Sequence, residues 1–192
     1  IYALLRVTFD FLHAQLWWWG VVALGIGLVT ALFGVVFAAA QTDMKRLLAY
    51  SSIENVGVIV AAIGLAVVFA AHGKALLAAV ALTAALYHCL NHSMFKTLLF
   101  LATGAVMHAT QERSLGRLGG LIHRMPWVAW LALVGTLAIA GLPPLNGFVS
   151  EWLLLQACRF TPTLPQTFVN MLVQLAAGAL VLWPRLTFAA TG

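Results

Sequence analysis

LYHCLNHSMFK, residues 86–96, places three proton-carrying side chains inside one of the longest apolar stretches of the sequence. His88, His92 and Lys96 are spaced at i, i+4 and i+8, so an α-helix carries them on one face, each about 6 Å above the last. Hydrocarbon penalises an ionisable group by a few kcal/mol, and such groups in membrane helices generally face a bundle interior or a hydrated path. This histidine–lysine ladder therefore predicts a proton or ion pathway.

Two alternatives to a pathway remain for the members of the ladder. A single histidine on an apolar helix is more often a hydrogen-bonded packing residue. Lys96 could also place its ammonium group at the membrane interface, because the long stem of a lysine can extend along apolar surface. Here the apolar sequence continues from Lys96 to Met107, which is too far for that stem.

The composition is that of a polytopic membrane protein. The 192 residues are 63% hydrophobic and 8% charged, and the mean hydropathy is +1.01, far outside soluble norms. The net charge of +5 comes from basic residues in short loops, which is how membrane orientation is encoded, so we expect no nucleic-acid partner. Cys89 and Cys158 have no ligand-type spacing, so we expect no redox centre. No cofactor or metal is expected in this chain, and a transition metal between His88 and His92 is the alternative.

The apolar stretches predict one transmembrane domain over residues 1–192. Residues 1–9 are expected to end a helix that began upstream, and the predicted membrane spans are 17–40, 47–69, 75–107, 126–157 and 168–183. As one straight helix, the span 75–107 would be about 50 Å long against a hydrocarbon core of about 30 Å. We therefore expect it to tilt, protrude or break, with an irregularity at Asn91 and Ser93.

The fourth span is interrupted by GLPPLNG, residues 141–147. Two prolines remove backbone donors and clash with the preceding turn, so the helix is expected to break there. Broken helices at membrane depth occur where protein or water satisfies the freed groups, and they mark transport sites in membrane carriers. Glu151 follows one turn later as a candidate proton carrier, although it could instead satisfy the freed amides of a new helix N-terminus.

Glu54 is the remaining candidate within a span, about 12 Å from the start of the second one. It either transfers protons or pairs at the interface with Lys45 or Arg46. If every span crosses once, the loop charges divide unequally between the two sides of the membrane. One side collects Lys45, Arg46, Arg113, Arg117, Arg124 and Arg185, and the other holds Lys74, Arg159 and Arg6. The first side is expected to face the cytoplasm.

Three motifs together resemble the antiporter-like membrane subunits of respiratory complex I and its relatives. They are QTDMKRLLAYSS at residues 41–52, the histidine–lysine ladder, and GLPPLNGF at residues 141–148 before Glu151. SIENVG at residues 52–57 and PPLNGFVSEW at residues 143–152 look most like the large membrane subunit of group-four hydrogenases, the hydrogenase-four and formate hydrogenlyase type. Quinone-reducing complex I subunits and multisubunit sodium/proton antiporters are close alternatives.

The resemblance implies two inverted helical repeats, each with a broken helix, that form linked half-channels along a central line of charged residues. In such subunits the second broken helix carries a Lys or Glu where Glu151 stands, and the ladder matches the central axis. Lys45 falls in the polar loop motif, as a pathway residue or as a topology anchor. The family's first broken helix has a Lys just before a segment like Tyr2–Arg6, so we expect that Lys upstream of Ile1 and read the chain as a fragment showing mainly the second repeat.

The sequence thus predicts an all-α transmembrane bundle of the inner (plasma) membrane that translocates protons, or sodium ions. The pathway residues are expected to be His88, His92, Lys96, Glu151, Glu54 and Lys45, with no catalytic residue in this chain. By resemblance, a peripheral redox arm and other membrane subunits are the partners and supply the driving force. The alternatives are a component of a multisubunit Na⁺/H⁺ antiporter, a carrier of a small solute that uses the break at Pro143 and Pro144, and a passive anchor for a hydrogenase arm.

Overall fold

The structure is a computed structural model that describes residues 1–11 and 16–159. In chain order its α-helices are α1 (Tyr2–Leu5), α2 (Trp17–Ala39), α3 (Met44–Ala71), α4 (Ala75–Thr110), α5 (Leu121–Arg124), α6 (Pro126–Ile139) and α7 (Asn146–Arg159). A π-helical segment, Arg6–Phe11, continues α1, and a 3-10 turn, Leu115–Arg117, precedes α5. Over the described ranges there is no strand, and α2, α3 and α4 are long and apolar enough to cross a membrane. The predicted all-α membrane bundle is confirmed, whereas the span predicted at 168–183 lies outside the described residues.

Helices α2 and α3 pack with their backbones in contact. Gly20, Gly27 and Gly34 recur every seven residues on α2, and Gly57 and Gly64 do so on α3. A Cβ atom added to Gly27 would lie 2.7 Å from the carbonyl oxygen of Gly57, and one added to Gly57 would lie 2.7 Å from that of Gly27. Membrane helices associate through such small residues because no hydrophobic force drives them together inside lipid.

Helix α3 lies between α2 and α4. Most of its length is therefore buried, including large apolar side chains such as Ile59, Ile63 and Phe69. The polar residues near its start, Ser51, Glu54 and Asn55, are buried as well. They face protein rather than lipid, which is the arrangement that makes polar groups tolerable in a membrane.

Helix α4 is unbroken from Ala75 to Thr110, so the irregularity expected at Asn91 and Ser93 is wrong. The Ser93 hydroxyl donates to the Leu90 carbonyl of its own helix at 2.7 Å, and the Asn91 side chain reaches across to α7. Neither side chain interrupts the backbone hydrogen bonds of the helix. At about 54 Å, the helix accommodates its excess length without a break.

The expected break in the fourth span is confirmed. Helix α6 ends at Ile139 and α7 begins at Asn146, while Gly141 in the connection has a φ of 64°. That left-handed conformation costs a residue with a Cβ atom about 1–2 kcal/mol, so glycine suits the position. Both halves pack on α4, and Gly141 and Gly147 at the two ends of the break are buried, whereas residues 142–144 between them are exposed.

Two polar loops meet at one end of the bundle. Asp43 caps α3, its side chain accepting from the backbone N–H of Lys45 at 2.8 Å and of Arg46 at 3.1 Å. These bonds, that of Arg46 first, hold the pKa of Asp43 below its usual value. The backbone N–H of Met44 donates to the Arg113 carbonyl at 3.2 Å, so the basic loops before α3 and after α4 lie on one side.

Candidate functional site

The histidine–lysine ladder lies on the face of α4 that packs against α3 and α7. His88 is 3% exposed and Lys96 is 5% exposed, while His92 between them is half-buried. The spacing of four residues produces this alignment, and the neighbouring helices exclude lipid from it. The three groups predicted to share a face do so.

His88 joins three helices through its imidazole ring. Its Nε2 atom is 3.1 Å from Oδ1 of Asn55 on α3, and its Nδ1 atom is 2.8 Å from Oγ of Ser150 on α7. Ser150 also donates to the carbonyl of Gly147 at 2.9 Å. His88 is therefore hydrogen-bonded as the packing alternative requires, and both of its partners are buried polar side chains.

Lys96 points into the protein, and its Nζ atom donates to the carbonyl of Leu48 on α3 at 3.0 Å. This burial rules out the interfacial position for its ammonium group. Lys96 interacts electrostatically with Glu54, which is 1% exposed. The side chains of Lys45 and Arg46 are exposed instead, and Glu54 lies inside the bundle rather than at its surface.

The titratable groups interact electrostatically in sequence along the bundle. His88 interacts with His92, His92 with Lys96, and Lys96 with Glu54. Nε2 of His92 is buried and has no hydrogen-bond partner among the described residues. The ring of His92 packs edge-on against that of Phe95, with 5.4 Å between the ring centroids. A proton added to one of these groups changes the cost of adding one to the next.

Glu151 lies on α7 against the break. A Cβ atom on Gly141 would lie 2.7 Å from Oε2 of Glu151, so the glycine leaves the room that this carboxylate occupies. Two hydrogen bonds hold the start of α7 to α4. Nδ2 of Asn91 donates to the backbone carbonyl of Asn146 at 3.0 Å, and Nδ2 of Asn146 donates to Oδ1 of Asn91 at 3.2 Å. Glu151 thus stands one residue after the Ser150 that contacts His88.

Lys45 is not brought into this cluster by any contact of its side chain. It is exposed in the first turn of α3, where its backbone N–H contributes to the Asp43 cap. Within the described ranges its ammonium group has neither a hydrogen bond nor an ion pair to the other five candidates.

Sequence reasoning missed the polar residues that link the candidates. Asn55 and Ser150 each sit beside a predicted carboxylate in the sequence, and Asn91 lies one turn from His88 on the ladder's side of α4. Adjacency to a buried ionisable group was the available signal for all three. Their pairing partners could not be read from the sequence, because the bonds join different helices.

The family described as NADH:quinone oxidoreductase/Mrp antiporter, transmembrane, matches residues 1–169. The chain belongs to this family. Hydrogenase-4 component B of Escherichia coli K12 is 47% identical over 155 residues, which are 79% of this chain and 23% of that protein. Formate hydrogenlyase subunit 3 of the same organism is 43% identical over 140 residues, 73% of this chain and 23% of that protein. A Na⁺/H⁺ antiporter subunit of Bacillus subtilis 168 is 38% identical over 151 residues, 79% of this chain and 19% of that protein.

The antiporter-like chain spans about a quarter or less of the length of these curated relatives. The names of these relatives describe each as a component or subunit of a larger assembly. Together with the apolar helices, membership in this family makes the chain a multi-pass membrane protein, and the bacterial relatives place it in the inner (plasma) membrane. The resemblance on which the sequence predictions rested is confirmed.

Proposed function

We propose that the chain forms part of a proton pathway in a redox-driven membrane complex of the group-four hydrogenase type. The observation that carries the proposal is the line of ionisable groups enclosed by the bundle, with Glu54 on α3 and Lys96, His92 and His88 along the inner face of α4. Ser150 continues that line to the break beside Glu151. Burying this many ionisable side chains in a membrane is costly, and a passive anchor for a hydrogenase arm would gain nothing from it.

Protons suit this line better than sodium ions do. Three of its groups, His88, His92 and Lys96, become cationic when protonated and offer a bare metal ion no negative site. A histidine takes up and releases protons near neutral pH in water. Each group can therefore pass a proton to water or to its neighbour, while the charge on adjacent helices biases the next transfer.

The second candidate is a component of a multisubunit Na⁺/H⁺ antiporter. The similarity to the Bacillus subtilis Na⁺/H⁺ antiporter protein favours it, and the buried carboxylates Glu54 and Glu151 are the groups that could meet sodium. The higher identity to hydrogenase-4 component B favours the redox-driven complex.

We also assign partners and an orientation to the chain. Other membrane subunits and a peripheral redox arm complete the complex, because moving one charge against 100 mV costs about 2.3 kcal/mol and the described residues show no source of that energy. The end that carries Lys45, Arg46 and Arg113 faces the cytoplasm. We assign Lys45 to this orientation signal.

The test is proton translocation by the full-length protein in its reconstituted complex, with Glu151→Gln compared with Glu112→Gln. Glu112 lies in the surface loop, so its variant controls for the loss of a carboxylate. We expect Glu151→Gln to abolish translocation at unchanged assembly and redox turnover. Translocation equal to that of the control variant would contradict the proposal, and loss of sodium transport alone would favour the antiporter.

A further inference from the structure

The orientation of the Asn55 amide fixes which proton a neutral His88 carries. Nδ2 of Asn55 donates to the carbonyl of Ser51 at 2.8 Å, so Oδ1 is the atom that faces His88. An amide oxygen only accepts hydrogen bonds. The proton of the neutral ring therefore resides on Nε2, and Nδ1 of His88 is left with a lone pair toward Ser150.

Ser150 has two acceptors for a single hydroxyl hydrogen. Its Oγ atom is 2.8 Å from Nδ1 of His88 and 2.9 Å from the carbonyl oxygen of Gly147, and the residue is 1% exposed. When His88 is neutral, Nδ1 requires a donor and the hydroxyl points to the ring. When His88 is protonated at Nδ1, that nitrogen donates and the hydroxyl hydrogen turns to the Gly147 carbonyl.

We propose that Ser150 is a positioning residue whose hydroxyl reverses its hydrogen bond when His88 gains or loses a proton, and so transmits the charge of α4 to the first turn of α7. The hydroxyl keeps its own hydrogen throughout. The proton that charges His88 arrives at Nδ1 or leaves it, and only the direction of the Ser150 bond changes. The source of that proton rests on the proposed pathway, whereas the reversal itself does not.

The reversal acts one residue away from the carboxylate at the break. In an α-helix a carbonyl accepts from the N–H four residues later, so the Gly147 carbonyl is also the acceptor for the backbone N–H of Glu151. A second donor at this oxygen competes with that bond. The charge state of His88 therefore changes the hydrogen bonding of the turn that carries Glu151.

The other ionisable groups near His88 come, within the described part of the chain, from the helices packed around it. Its own helix presents His92 and Lys96, α3 presents Glu54, and α7 presents Glu151. Helices α2 and α6 contain no ionisable side chain. Of these groups, His92 lies one helical turn from His88 on the same face of α4.

The experiment follows the Gly147 carbonyl and the His88 ring by solid-state NMR across a pH series, in the full-length chain in bilayers. Labels on the glycine carbonyl and the phenylalanine nitrogen select Gly147–Phe148, the one Gly–Phe step in this sequence, and Phe148→Tyr identifies its signal by difference. Nitrogen-labelled histidine reports the ring, with His88→Gln identifying the signals of His88.

We expect the Gly147 carbonyl signal to move together with the protonation of His88. In Ser150→Ala this response should be lost, and Ser150→Thr, which restores a hydroxyl, should recover it. Ser93→Ala serves as the control because its hydroxyl donates to the Leu90 carbonyl within α4. A Gly147 signal that stays fixed while His88 titrates would overturn the proposal, as would an unchanged response in Ser150→Ala.

A second variant tests the first step even if Ser150→Ala misfolds. Asn55→Leu removes the acceptor at Nε2, so neutral His88 should change from the single Nε2–H form to a mixture of both tautomers. An unchanged single tautomer would overturn the assignment. If Glu151→Gln still translocates protons while the Gly147 signal follows His88, the proposed pathway fails and the Ser150 reversal stands.

Discussion

Replacing Gly141 by alanine should impair ion translocation with little loss of stability beyond that of a matched control. Gly141 has a φ of 64° and lies against the Glu151 carboxylate, whereas Gly120 has a φ of 65° and has nothing within 4 Å of its Cβ position. The two substitutions share the backbone strain. Only Gly141→Ala adds a contact with the candidate proton carrier.

The structure gives the size of both effects. A Cβ atom in the left-handed conformation costs about 1–2 kcal/mol, and this cost applies to both variants. The Cβ atom of Gly141→Ala would stand 2.7 Å from Oε2 of Glu151, and ordinary contact begins at 3.4 Å, so the carboxylate is displaced by about 0.7 Å, at small cost because its side chain is flexible. A shift of about 1 Å can slow a positioned reaction about 100-fold, and we expect translocation to fall about tenfold or more.

Proton uptake by proteoliposomes containing the full-length protein in its complex measures the effect, with thermal unfolding of both variants measured in parallel. We expect similar melting temperatures for Gly141→Ala and Gly120→Ala and a translocation defect in Gly141→Ala alone. Equal translocation in the two variants would show that the space beside Gly141 does not set the position of a working carboxylate.

Three further changes test the scaffold around the pathway. Gly27→Ala should destabilise the protein by about 1–3 kcal/mol in thermal unfolding, because its Cβ meets the backbone of α3, whereas Gly25→Ala, with open space around it, should not; equal stabilities would refute the close packing of α2 and α3. Asn91→Leu removes both hydrogen bonds between the Asn91 side chain and α7, and it should lower the free energy of unfolding by about 1–2 kcal/mol. Hydrogen exchange at the start of α7 should become faster, and unchanged exchange would contradict this role of Asn91. The backbone N–H groups of Ser114 and Arg113 donate hydrogen bonds to the Glu112 carboxylate and hold its pKa below the ordinary value of 4.5. These two hydrogen bonds are therefore fully present above pH 4.5 and are lost as the pH falls through the lowered pKa. The exchange protection of the Ser114 amide should fall in that range and stay constant in Glu112→Gln; a pH-dependent Glu112→Gln would contradict the assignment.

Periodicity and composition were sufficient to predict an all-α bundle with a broken helix, because both features depend on neighbouring residues in the sequence. Spacing at i, i+4 and i+8 aligns His88, His92 and Lys96 on any helix. The proline pair that ends α6 acts on its own turn. These features needed no knowledge of the partner helices.

The contacts of the ladder could not be predicted in the same way. His88 bonds to Asn55, 33 positions away, and to Ser150, 62 positions away, and no single-helix pattern specifies which faces meet. The burial of Glu54 likewise depends on α3 lying between two helices. The irregularity expected in α4 was wrong because Asn91 found its bonds on α7, so its polarity did not disturb its own backbone.

The central claim is that the ladder conducts protons, and the most direct measurement compares Lys96→Ala with the unmutated full-length protein in its reconstituted complex. Proton translocation is measured at matched assembly and redox turnover, with Lys74→Ala, which removes an ammonium group just before α4, as the control. We predict that translocation collapses in Lys96→Ala while the complex remains intact and the control is unaffected. Undiminished translocation in Lys96→Ala would contradict the claim and would leave Lys96 as a structural residue.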